Sequence, residues 1–147
     1  MIQEIHENKK AFLPLLLLGD EQESMIDRYL DRGRLFIRFR QETPICCALV
    51  TDEGDGICEL KNIAVAPAFQ RKGIGSEMLA FLTEKLQADF HTLLVGTGES
   101  PLTLPFYEQN GFTYHHRIRN FFTDNYDHPI VEAGVLLTDM IVLQKKL

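Results

Sequence analysis

Positive charge is in short supply in this sequence. Fifteen Lys and Arg stand against 21 Asp and Glu, the net charge is −6, and no basic run of five residues occurs. Nucleic-acid binders need clustered cations to meet phosphates, so that class is excluded as a partner. Cysteine is scarce and odd in number: Cys46, Cys47 and Cys58 suggest no disulfide framework, which points to a reducing cytoplasm. Neighbours on a strand point to opposite faces, so neither Cys46 with Cys47 nor His115 with His116 is expected to converge on a metal. His128 lacks ligand spacing too, and Cys47 has no His/Asn context for a nucleophile. No apolar run reaches the ~20 residues of a membrane span. The longest, Ala11 to Leu18, is interrupted by Pro14 and followed by Gly19-Asp20-Glu21 rather than a cleavage site, so it reads as a buried helix with no membrane role.

What is present is ordinary for a globule, with 45% hydrophobic and 24% charged residues. At 147 residues, with no repeat or low-complexity linker, the chain 1–147 reads as one domain able to bury a core. Strands are expected at Ile2–His6, Arg34–Arg40, Ile45–Thr51, Ile57–Ala66, Thr92–Val95, Tyr114–Phe122 and Val135–Gln144. Helices are expected over Lys9–Leu18 with Asn8 as cap, over Glu23–Arg32 stopped at Gly33, over Ser76–Gln87, and from Ser100-Pro101 to Asn110 with Gly111 as the C-terminal cap. Thr43-Pro44 and Asp52–Gly56 read as turns, Gly96-Thr97-Gly98 as a strand end, and Thr123–Gly134 as a polar loop. Mostly antiparallel strands with about four helices make an α+β sheet protein.

Two glycine motifs fail on their residues. A P-loop needs Lys-Ser or Lys-Thr, and neither pair occurs; a dinucleotide fingerprint needs a third glycine, where Gly73-x-Gly75 has Met78 and Gly96-x-Gly98 has Pro101. What remains is Gln70-Arg71-Lys72-Gly73-Ile74-Gly75, between a buried-looking strand and an amphipathic helix. Unpaired N–H groups and the positive end of the helix dipole make such a turn an anion site. Glycines without Cβ let a diphosphate approach the amides of Arg71 to Ser76.

That turn resembles the acyl-CoA loop of the GNAT superfamily of N-acetyltransferases, Gln/Arg-x-x-Gly-x-Gly/Ala. Phe106-Tyr107-Glu108-Gln109-Asn110-Gly111-Phe112 resembles the Phe-Tyr-x-x-x-Gly-Phe ending of that family's penultimate helix. The resemblance spans about Glu59 to Phe112. It implies a mixed, mainly antiparallel sheet flanked by helices, with the cofactor in a cleft where the Ile57–Ala66 and Thr92–Val95 strands splay. It implies acetyl-CoA as cosubstrate, gripped by Gln70, Arg71, Lys72, Gly73, Ile74, Gly75 and Ser76. Ser100 stands where many members carry an asparagine near the phosphate-adenosine end. The backbone of Asn62, Ile63, Ala64 and Val65 would pair with the pantetheine arm, an N–H near Ile63 or Ala64 polarising the thioester carbonyl. Tyr107 would protonate the leaving thiolate, and Glu59 would relay a proton from the attacking amine. Pro105 departs from the pattern and is expected to kink the Tyr107 helix or delay its start.

The reaction implied is direct transfer of acetyl to a primary amine, carried by a small molecule or a protein. A non-catalytic acyl-CoA-binding module and an interaction protein on the same scaffold stay open. The acceptor pocket is expected between Lys9–Arg32 and Thr123–Gly134. The apolar last strand marks either a central position or the edge of a possible homodimer.

Overall fold

Leu35 and Ile37 alternate with Phe36, so this strand must be covered on both faces. In a computed structural model, which describes residues 1–147, Leu35 and Ile37 enter one core and Phe36 another. The strand is β2 (Arg34–Arg40), flanked by β1 (Ile2–Ile5) and β3 (Thr43–Gly54), with β4 (Ile57–Val65) continuing the antiparallel run. Helix α3 (Ile74–Leu86) then carries the chain back to β5 (Thr92–Gly98), which pairs with β4 in parallel. With β6 (Thr113–Ile118) and β9 (Met140–Lys146) the sheet has seven strands in the order β1-β2-β3-β4-β5-β9-β6. A hairpin of β7 (Val131–Glu132) and β8 (Val135–Leu136) stands apart from it.

Helices α1 (Leu13–Gly19) and α2 (Glu23–Ile26) cover one face, burying Leu15, Leu16, Ile26, Tyr29 and Leu30. The other face takes α3 and α4 (Thr103–Gln109) through Met78, Leu79, Leu82, Leu86, Tyr107 and Phe112. A small third core of Phe122, Ile130 and Leu137 lies under α5 (Phe121–Asn125) and the hairpin. Cys46 belongs to the core under α3 and α4 and Cys47 to the core under α1 and α2, and all three cysteines are free and buried. Burial pushes the Cys46 and Cys58 thiols up to about 12, which keeps both unreactive. No helix is long and apolar enough to cross a membrane.

Several sequence expectations are corrected. The strand expected to stop at Val95 runs on through Gly96-Thr97-Gly98: both glycines pair with β9, and a Cβ on them would collide with Met140 and Leu137. Tyr114–Phe122 is not one strand, because Asn120 takes a left-handed φ of 55° and Phe121–Asn125 turns into a helix. Val135–Gln144 is likewise broken into β8 and β9, and Thr123–Gly134 contains the end of α5 and the strand β7 within its loop. Strand β9 is hydrogen-bonded on both sides, to β5 and β6, so it is no dimer edge. A register shift between Tyr114 and His116 leaves His115 as an extra residue, and this bulge brings the two Nδ1 atoms to 2.7 Å of each other instead of placing the rings on opposite faces. Near the N-terminus, Asn8 has no capping hydrogen bond, Lys9–Phe12 is a 3-10 turn ahead of α1, and the second helix continues beyond Ile26 only as turns. The turn expected at Thr43-Pro44 falls earlier, where Gln41 has a φ of 55°, and Thr43 already starts β3.

Candidate active site

An irregularity in β4 opens the sheet. Leu49 pairs with Asn62 and Val50 with Leu60, so Lys61 is an extra, bulged residue. Its effect shows in the side chains: Cys58 and Leu60 enter the core under α3, whereas Ala64 enters the core under α1. A bulge bends its strand and raises its twist, and the β4–β5 ladder stops at Leu60–Val95. Residues 61–65 therefore keep β3 on one side and have no strand on the other. The Ala66 N–H bonds to the Ile45 carbonyl across the β3 side at 2.8 Å. Alternation then turns the backbone groups of Ala64 and Asn62 toward β3, and those of Ile63 and Val65 toward the gap.

The loop after β4 is shaped by two left-handed residues, Arg71 at φ 62° and Gly73 at φ 81°. The first α3 bond runs from the Glu77 N–H to the Gly73 carbonyl at 2.9 Å, which leaves the amides of Ile74, Gly75 and Ser76 without intrahelical acceptors. A Cβ at Gly73 would meet nothing within 4 Å, so the space beside Gly73 is open, whereas one at Gly75 would stand 3.1 Å from the Phe106 ring. Gln70 does not face that space with its amide group; its Nε2 donates to the Val65 carbonyl at 3.0 Å and ties the loop to β4. Lys72 rests over the Phe69 ring at 5.8 Å. Asn110 clamps the helix start to α4, donating to Ser76 Oγ at 3.2 Å and to the Phe106 carbonyl at 2.8 Å. Pro105 falls in the first turn of α4, where a missing N–H is tolerated, so the helix starts at Thr103 rather than kinking. Ser100 is no direct cap of that helix; its Oγ accepts from the Leu102 N–H at 3.1 Å.

Tyr107 is buried edge-on between Phe106 and Phe112, with ring centroids at 5.1 and 5.6 Å. Its hydroxyl has no hydrogen-bond partner in the chain, yet no buried side-chain polar atom is left unsatisfied, so the hydroxyl opens onto the cavity that the residue lines. Burial raises the Tyr107 pKa, and the negative charge of Glu132 adds to the rise. The cavity, of about 580 Å³, also receives Glu59, Ile63, Thr97 and Thr103. Glu59 is not free: its carboxylate holds Lys61 Nζ at 2.9 Å, and both side chains are largely buried.

The far wall was not readable from motifs. Asp20, at the end of α1, accepts from Tyr29 Oη at 3.0 Å and from Tyr126 Oη at 2.6 Å. Tyr29 Oη in turn accepts from Asn62 Nδ2 at 3.1 Å, so the Asn62 side chain supports this wall. Burial lifts the Asp20 carboxyl above its ordinary range, while the Tyr126 and Tyr29 hydroxyls pull it back. Glu132 reaches the cavity from the β7–β8 hairpin, and burial raises its carboxyl as well. Arg28 Nη1 to Asn125 Oδ1 (3.1 Å), the Asp127 N–H to Gln22 Oε1 (3.0 Å) and His128 Nε2 to Glu21 Oε1 (2.9 Å) bind the two sides of this wall together. Nothing in the sequence gives the partners in these pairs, which lie 97 to 107 positions apart. No three His, Cys, Asp or Glu side chains stand together as a metal group would.

A family model described as an acetyltransferase (GNAT) domain matches residues 31–114, more than half of the chain. The chain belongs to the GNAT acetyltransferase family. The uncharacterized N-acetyltransferase YvbK of Bacillus subtilis is 31% identical over 141 residues, covering 93% of this chain and 90% of its own length. A GNAT family acetyltransferase from Elizabethkingia anophelis, solved with acetyl-CoA bound, is 36% identical with a TM-score of 0.95, over 100% of this chain and 97% of that one. A Bacillus subtilis acetyltransferase in complex with CoA is 29% identical with a TM-score of 0.91, over 99% and 97%. The IAA acetyltransferase of Bacillus cereus is 32% identical with a TM-score of 0.92, over 100% and 99%. The α+β sheet described above is the GNAT fold, and this GNAT member is an acetyl-CoA-dependent N-acetyltransferase.

Proposed function

We propose that residues 1–147 act as one GNAT domain that transfers acetyl by direct attack of a primary amine, in a ternary complex. The observation that carries this is the Tyr107 hydroxyl, unpartnered and facing the cavity that opens beside the bulged segment of β4. The amides of Ile74, Gly75 and Ser76, without intrahelical acceptors and beside the open position at Gly73, suit a diphosphate. Acetyl-CoA supplies an activated thioester and a thiol leaving group when bound. Arg71 and Lys72 add positive charge beside the phosphates, Gln70 holds the loop on β4, and Ser76 and Ser100 steady the start of α3 and the approach to α4. Ile63 and Val65 offer backbone hydrogen bonds to the pantetheine arm, and the Ile63 N–H polarises the thioester carbonyl. Asn62 and Ala64 keep that segment paired to β3. Tyr107 donates its proton to the departing sulfur; a phenol with a raised pKa is fully protonated for that task. Glu59 takes part in moving the amine proton outward, with Lys61 fixing its orientation.

The acceptor is an amine on a small molecule or a protein, and the cytoplasm, where thiols such as these three stay reduced, is the proposed location. The test is a panel of amines mixed with acetyl-CoA, read by free thiol. The expected result is amine-dependent thiol release that Tyr107→Phe and Glu59→Gln reduce while acetyl-CoA still binds. Binding without release across the panel would instead favour an acyl-CoA-binding module.

A further inference from the structure

The acceptor side of the cavity contains a carboxylate whose partners hold its position without cancelling its charge. Asp20 follows Gly19, which packs so closely on β4 that a Cβ there would sit 2.9 Å from the Ile63 carbonyl oxygen. Asp20 thus stands at the splayed segment, where transfer takes place on the acyl-transfer reading above. Its two oxygens are fixed by the Tyr29 and Tyr126 hydroxyls at 3.0 and 2.6 Å, both neutral donors. Of the other charged side chains on this wall, Glu59 pairs with Lys61 at 2.9 Å, Glu21 with His128 at 2.9 Å and Arg32 with Glu53 at 3.1 Å. Glu132 and Arg28 line the cavity without a partner of opposite charge, and neither is fixed by two hydroxyl donors as Asp20 is. No basic side chain pairs with Asp20.

We propose that Asp20 receives the acceptor, and that the acceptor is a small primary alkylamine docking as its ammonium ion with an apolar tail. An ammonium brings three donors and a full charge, and Asp20 presents a preset carboxylate to meet them. The tail class follows from the walls beside it: Phe122, Ile130 and Leu137 form an apolar cluster that lines the same cavity. This assignment rests on the acyl-transfer function and adds a specificity-determining residue to it.

The experiment compares phenethylamine, charged at neutral pH, with 4-ethylaniline, which has similar size and is uncharged. In Asp20→Asn, kcat/KM for phenethylamine should fall by at least about tenfold, mainly through KM, with 4-ethylaniline within about twofold of wild type. N,N-dimethylphenethylamine, which cannot form a stable amide, should compete with phenethylamine in the wild type and lose its grip in the variant. Calorimetric acetyl-CoA affinity should not change. If Asp20→Asn fails to fold, Tyr126→Phe removes one fixing hydrogen bond and should raise the phenethylamine KM severalfold while leaving 4-ethylaniline unaffected. Equal losses for both amines, or no loss for either, would overturn the Asp20 assignment alone. No thiol release by the wild type with any amine would overturn the acyl-transfer reading, and this assignment with it.

Discussion

The loop Gln70–Ser76 offers main-chain amides freed at a helix start, whereas the opposite wall offers side chains collected from three distant segments. The first arrangement is local: Arg71, Gly73 and the open amides of α3 lie within a few residues of each other. The second depends on pairs such as Tyr126 with Asp20 and Asp127 with Gln22, separated by 106 and 105 positions. Backbone recognition of a diphosphate leaves little room to vary, while a wall made of side chains can be rebuilt for a new acceptor without disturbing the loop.

Tyr107→Phe should give the largest effect, because it removes the hydroxyl proposed to donate the proton and little else. We expect kcat to drop on the order of 10²-fold or more with acetyl-CoA affinity nearly unchanged, measured by steady-state kinetics beside calorimetry. Equal loss of affinity would mean that the hydroxyl serves acetyl-CoA binding rather than proton donation. The same residue sets a pH expectation. Its folded pKa lies above the ordinary phenol value, so the donor stays protonated as pH rises past ~10. The kcat profile should then show no falling limb from this group below about pH 10, and a limb near pH 8 that vanishes in Tyr107→Phe would contradict it.

Gly73→Val attacks the other half of the comparison. A branched residue at φ 81° is strained by roughly 1–2 kcal/mol, so the loop should shift and acetyl-CoA affinity weaken by about tenfold. Thermal shift with and without acetyl-CoA would separate lost stability from lost binding. Tyr126→Phe should have a smaller effect, confined to the acceptor KM, and a change in acetyl-CoA affinity would show that the two walls are not independent. The smallest effect lies far from both, at Glu4, where the Arg34 guanidinium holds the carboxyl below its ordinary range. A folded pKa below the unfolded one stabilises above ~4.3 and stops doing so as pH falls through the folded value. Glu4→Gln should therefore lower stability by no more than about 1 kcal/mol at pH 7 and by nothing in stronger acid, as read by denaturation at the two pH values.

The contrast also explains what the sequence could tell. Strand β2, helix α3 and the helix ending at Gly111 were legible because their signals are periodic or local. The left-handed turn at Gly73 and the helix that carries Tyr107 were legible for the same reason. Gly96 and Gly98 misled because their role is set by Met140 and Leu137 across the sheet, not by neighbours in sequence. The bulges at Lys61 and His115 leave no mark in composition, yet one opens the cleft and the other brings two histidines together. Asp20 looked like the end of an apolar helix. Only the folded chain brings Tyr29 and Tyr126 to its carboxylate.

Calorimetric titration of acetyl-CoA into the wild type, Gly73→Val and Tyr126→Phe tests this division of labour most directly. The expected result is saturable binding that Gly73→Val weakens by about tenfold and Tyr126→Phe leaves intact. Affinity indifferent to the loop, or lost with the Tyr126 hydroxyl, would contradict it.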